Sequence, residues 1–208
     1  MIRKRAEEFH SLILGFLFVL FDALIQGTML RLLRLFGLDR DNLRPRHLEI
    51  YLVSTTSLII LMIFLSKILS FVGWFLLFLG VVRILQIIAL NAMSLLFGLR
   101  LLSAQVPDRE RTRWHFVAIL FSLVDVLLIY AFSYYFLNTR YEVLNLRSDS
   151  FFDHFYYSML TLMTVGYGDI VPVTALGKFL AMSEVFVGVF LFVFLVNAAM
   201  GRFQRHAE

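Results

Sequence analysis

Six consecutive residues, Thr164-Val165-Gly166-Tyr167-Gly168-Asp169, are the part of this chain best suited to chemistry. That chemistry is ion binding. A dehydrated cation needs a ring of oxygens in place of its water. Backbone carbonyls supply one if consecutive residues turn their C=O groups the same way. The geometry needs unusual φ/ψ values, which Gly166 and Gly168 reach without a Cβ clash. Val165 and Tyr167 then direct their side chains away from the oxygen-lined axis, into a supporting wall. The Thr164 hydroxyl adds an innermost ring of oxygens. The plainer alternative is a glycine-rich turn between two helices.

The elements that must hold this segment are written in the composition. Of 208 residues 60% are hydrophobic and 16% charged, and mean hydropathy is +0.82. Soluble domains run near 45–50% apolar and about 25% charged, so a soluble fold is excluded as the default. Twenty-three Phe against three Pro exclude disorder. With no Cys, disulfides, thiolate catalysis and Cys-based zinc sites are excluded. A net charge of +4 fits basic loops at a membrane better than nucleic-acid binding. Five apolar segments are long enough to cross a bilayer: 12–30, 49–66, 74–102, 114–137 and 175–201. A sixth, 151–163, is too short to span and reads as re-entrant. Ser150 and Asp153 form a capping box for its first turn. The negative end of its dipole then faces a cation at the six-residue segment.

Residues 164–169 match the selectivity filter of potassium channels, and residues 114–203 resemble the pore domain of small prokaryotic-type members of that family. Such filters are the standard example of K+ selection by backbone carbonyls, so selectivity for K+ is what the resemblance implies. It also implies an all-α membrane protein with a tetrameric pore domain over 114–208: outer helix 114–137, pore helix 151–163, filter 164–169 and inner helix 175–201. Residues 1–113 would add two or three further membrane or interfacial helices. K+ would be held at Thr164, Val165, Gly166 and Tyr167. Tyr156 and Tyr157 occupy the family's aromatic positions, with Tyr157 expected to contact Tyr167 and Tyr156 to lie near Asp169. Met163 departs from the usual Thr or Ser. Gly188, 21 residues beyond Tyr167, reads either as a hinge or as a close packing contact. Val189, Phe192, Val196 and Met200 would line an apolar cavity, where a ring of Phe192 or Val196 closes the pore by dewetting.

Filter polarity gives an internal check. With Thr164 toward the cytoplasm, the loops 103–113 and 31–47 fall inside, and both are rich in Arg, as the positive-inside rule requires. The C-terminus is then cytoplasmic and the protein a multi-pass component of the cell membrane. The segment 12–30 either spans or lies along the interface. Only seven residues follow Gly201, so no ligand-sensing domain is expected there.

Asp22, Arg83, Asp125 and Glu184 lie within apolar runs, where ionisable groups are expensive. Arg83 and Asp125 fall at similar depth, which predicts an ion pair between neighbouring helices. Three-residue steps from Arg83 give Gln86, Ala89 and Ala92, none basic. Steep voltage gating uses about three to four charges per subunit, so none is expected. Glu184 would sit behind the filter, bonded to Ser158 or Thr161.

The leading function is a passive, K+-selective homotetrameric channel in contact with membrane lipids. It would have no cofactor besides the permeant ion and no nucleic-acid partner. A modulatory subunit that co-assembles with other channel chains is the alternative. Potassium transporter subunits carry four pore repeats, against one here. No nucleophile–base pair, metal cluster or phosphate loop supports an enzyme.

Overall fold

The structure, a computed structural model, describes residues 52–57, 59–61, 63, 70–97, 107–147 and 150–204. The segment expected at 12–30 lies outside the described residues, as do parts of those at 49–66 and 74–102. Four helices follow one another: α1 (Ser70–Phe97), α2 (Asp108–Tyr141), α3 (Phe151–Leu162) and α4 (Ala175–Gln204). Residues 52–57 and 59–61 are helical as well.

Among the described residues three stretches are long and apolar enough to cross a membrane: Val72–Met93, Arg113–Tyr141 and Ala175–Asn197. The 12 residues of α3 rise only about 18 Å, short of a hydrocarbon core about 30 Å thick. Among the described residues the regular elements are all helices, and three of them have the length and apolar composition of membrane spans.

Helix α2 is longer than its apolar run. It starts after Pro107, within the basic loop, and continues past Leu137 to Tyr141. It stops because Glu142 takes a left-handed conformation (φ 46°), its N–H bonded to the Asn138 carbonyl. Thr174 precedes α4, and its hydroxyl accepts the Gly177 N–H at 3.1 Å.

α1, α3 and α4 all pack on α2. Their shared core includes Val126, Tyr130, Tyr134, Tyr157, Leu162, Val187 and Leu191. The approach of α1 depends on small residues. A Cβ on Gly73 would stand 1.8 Å from the Phe136 ring, and one on Gly80 would stand 2.8 Å from Ile129. Glycines allow such close helix contacts in lipid, where apolar burial alone does not drive association. Beyond α3, the loop after the filter returns beside the α2–α3 loop, and Leu144 and Pro172 form an antiparallel bridge.

Candidate functional site

The filter is launched by the end of α3. Ser150 caps its start, accepting the Phe152 N–H at 3.2 Å. His154 is fully buried in the next turn, its Nδ1 bonded to the Ser150 carbonyl at 2.8 Å and its ring edge-on to Tyr135. At the far end Met163 is the C-cap and Thr164 turns left-handed (φ 56°). The Thr164 N–H reaches the Thr161 carbonyl, and the Val165 N–H reaches the Leu160 carbonyl at 2.9 Å. This is a Schellman ending. Its left-handed position usually falls to Gly, and the β-branched Thr164 there stores strain of about 1–3 kcal/mol.

Positive φ recurs at every second residue: Thr164, Gly166 (55°) and Gly168 (82°). Alternating handedness turns successive peptide groups the same way, the arrangement a carbonyl-lined ion path needs. Space is not what requires glycine, because among the described residues nothing lies within 4 Å of a Cβ built on Gly166 or Gly168. Residues 164–169 are exposed in the single chain, Tyr167 by 72%.

The aromatic pair divides its work. The Tyr156 hydroxyl donates to Asp169 Oδ2 at 3.0 Å, and that carboxylate pushes the Tyr156 phenol above its ordinary value. Tyr157 is buried, its ring edge-on to Tyr134 at 4.8 Å between centroids, and within one chain it belongs to the α2–α3 core. Met163 is half-exposed beside the filter.

Behind the filter, Glu184 is fully buried between helices. Its Oε2 accepts the Tyr134 hydroxyl at 2.8 Å and its Oε1 meets the Ser158 hydroxyl. Ser158 Oγ also lies 3.2 Å from the Leu127 carbonyl. A hydroxyl has one proton, so Ser158 chooses between the two acceptors. One turn away Tyr130 donates to Ser183 at 3.0 Å. The pore helix is thus pinned to α2 and α4 by buried polar groups.

α4 runs unbroken through Gly188. A Cβ there would meet the Leu162 carbonyl and its Cδ1, both at 2.9 Å. The missing Cβ at Gly188 lets the inner helix touch the last turn of α3. Val189, Phe192 and Val196 are exposed in the single chain. The Met200 side chain lies outside the described residues.

Arg83 and Asp125 meet. Arg83 Nη2 and Nε lie 2.8 and 3.2 Å from Asp125 Oδ2. Thr56 donates to Asp125 Oδ1 at 2.6 Å, and Arg83 donates to Thr55 at 3.3 Å. Sequence reasoning missed Thr55 and Thr56, and also Tyr134, Asn138 and Asn145. Of these, Tyr134 had a signal: a tyrosine deep in an apolar helix needs a partner for its hydroxyl.

Long helix, short helix, loop with alternating handedness and long helix follow one another over residues 108–204. Residues 122–205 match the family described as "Ion channel". Over 109 residues the chain is 30% identical to the "Voltage-gated potassium channel" of Aeropyrum pernix, covering 52% of this chain and 35% of that one. Over 94 residues it is 33% identical to "Two-pore potassium channel 4" of Arabidopsis thaliana, covering 45% and 32%. The chain spans about a third of the length of these curated relatives. No solved structure matches significantly. Residues 122–205 are thus similar to an ion-channel family, and both of these relatives are described as potassium channels.

Proposed function

We propose that four copies of this chain surround a K+-selective pore and conduct K+ passively across the cell membrane, with the C-terminus of α4 in the cytoplasm. The observation that carries this reading is the backbone of residues 164–168. It leaves a capped pore helix and alternates in handedness at Thr164, Gly166 and Gly168. Four such strands around an axis would stack rings of oxygens at Thr164, Val165, Gly166 and Tyr167, with K+ as the only ligand and no cofactor. The exposure of the filter and of Val189, Phe192 and Val196 in one chain supports a shared axis, since closed symmetry covers such surfaces. Strong voltage gating is not part of the proposal. Arg83 is the only basic residue within Val72–Met93, and Asp125 compensates it.

The test is cation flux from liposomes holding the purified protein, K+ against Na+, with Gly166→Asp as control. Flux that favours K+ and disappears in the control is expected. Equal flux of the two ions, or K+ flux that survives the substitution, refutes the proposal.

A further inference from the structure

Within one chain a Cβ built on Gly166 or Gly168 would meet nothing within 4 Å among the described residues and residues 164–169 are exposed, so the contacts that anchor this segment within the chain lie at its two ends. The inner end is the helix cap described above. The outer end is tied to the loop that follows α2, largely through one exposed residue, Asn145. Its N–H donates to the Val171 carbonyl at 3.0 Å, and its side-chain Oδ1 accepts the Val171 N–H at 2.8 Å. Asn145 thus engages both peptide groups of one residue just beyond the filter. Its Nδ2 also lies 3.4 Å from the Asp169 carbonyl. The Val173 N–H bonds the Val143 carbonyl at 3.0 Å, continuing the pairing.

The loop that presents Asn145 is itself held by α2. Asn138, buried in the last turns of that helix, accepts the Leu144 N–H and donates to the Leu146 carbonyl, both at 2.8 Å. One buried amide therefore shapes residues 144–146, and one exposed amide passes that shape to residues 169–171. Joining α2 to α3 requires no such tie, because the chain from 142 to 150 closes that gap by itself.

We infer that Asn145 is a positioning residue of the conduction path: it fixes the outer end of the filter to α2 and keeps the carbonyls registered for ions. The inference rests on the channel reading above. It follows that the tie and the ions support the same structure. K+ binds only the registered filter, so raising K+ stabilises that state by mass action. A filter that has lost its tie must depend more steeply on K+ than an intact one.

The experiment is a time course of K+ current through proteoliposome-derived bilayers at low and high external K+, for wild type, N145A and N145D. Size-exclusion profiles check that each variant assembles. N145A removes both side-chain bonds, whereas N145D keeps the Oδ acceptor for the Val171 N–H. At low external K+, N145A current is expected to decay about fivefold faster than wild type. High external K+ should return it to the wild-type time course, and N145D, which keeps one bond but turns an oxygen toward the Asp169 carbonyl, should fall between N145A and wild type. Three results overturn the assignment: N145A decaying like wild type at both concentrations, N145A decaying faster with no response to K+, or N145D as impaired as N145A. A wild type with no K+-selective current overturns the channel reading instead, so the two failures are distinguishable.

Discussion

Removing one half of the Arg83–Asp125 pair should destabilise the protein far more than removing both. Asp125 is fully buried and the Arg83 side chain is only 12% exposed. Arg83 places two N–H groups on one carboxylate oxygen, and Thr56 occupies the other. Asp125→Ala strands a guanidinium at membrane depth, and Arg83→Ala strands a carboxylate. Breaking a buried pair in this way costs about 3–5 kcal/mol. At about 2–4 °C per kcal/mol, helix melting in detergent should fall by roughly 6–20 °C for either single variant. Replacing both by leucine removes the stranded charge, and such replacements are often neutral. R83L/D125L should therefore melt within a few degrees of wild type. The exchange R83D/D125R should recover part of the loss, because Thr55 and Thr56 can each donate or accept. Circular dichroism against temperature is the assay. If both single variants melt within about 2–4 °C of wild type, a loss of about 1 kcal/mol, or if the exchange is no better than either single alanine variant, the coupling argument is wrong.

Glu184→Gln can still accept from Tyr134 and donate to Ser158, leaving Ser158 to bond Leu127, so flux and melting should barely change. Glu184→Leu strands the buried Tyr134 hydroxyl and should cost about 1–3 kcal/mol in thermal unfolding. Gly188→Ala drives a Cβ into the Leu162 carbonyl, lowering K+ flux and costing about 1–3 kcal/mol. Adding Leu162→Ala should not restore flux, since the backbone oxygen remains; full recovery would assign the clash to the side chain. Gly73→Ala meets the Phe136 ring, and the double variant with Phe136→Leu should melt higher than the single one. Asp169 holds the Tyr156 phenol above its usual 10.0. The neutral phenol is the donor, so its bond is present below that ordinary value and lost as pH rises through the raised one. K+ flux should therefore differ between Tyr156→Phe and wild type by the same factor from about pH 7 to 9, converging only in stronger alkali.

What the sequence makes legible follows from strong local rules. Ser150 caps α3 because a short hydroxyl ahead of an apolar run satisfies a free amide. Arg83 finds Asp125 because two charges at one depth in lipid have few other partners. Gly166 and Gly168 announce positive φ by their type. Thr164 does not: a β-branched residue in the left-handed region is imposed by the helix ending around it, not by its own preference. The extension of α2 to Tyr141 was hidden because residues 138–141 are largely polar, and helix continuity there depends on where Glu142 turns. Asn138 and Asn145 sit in a stretch with no periodicity, and only the returning chain at 169–173 gives them partners.

The bare flank of the filter, where Gly166 and Gly168 have no neighbour of their own chain among the described residues, carries a genetic consequence. In the proposed tetramer every copy would supply a quarter of the wall around the ions, and no copy would complete the path alone. A lesion such as Gly166→Asp should act as a dominant trait rather than a recessive one. With equal expression of normal and altered chains and random assembly by fours, only about one pore in sixteen is free of the altered chain.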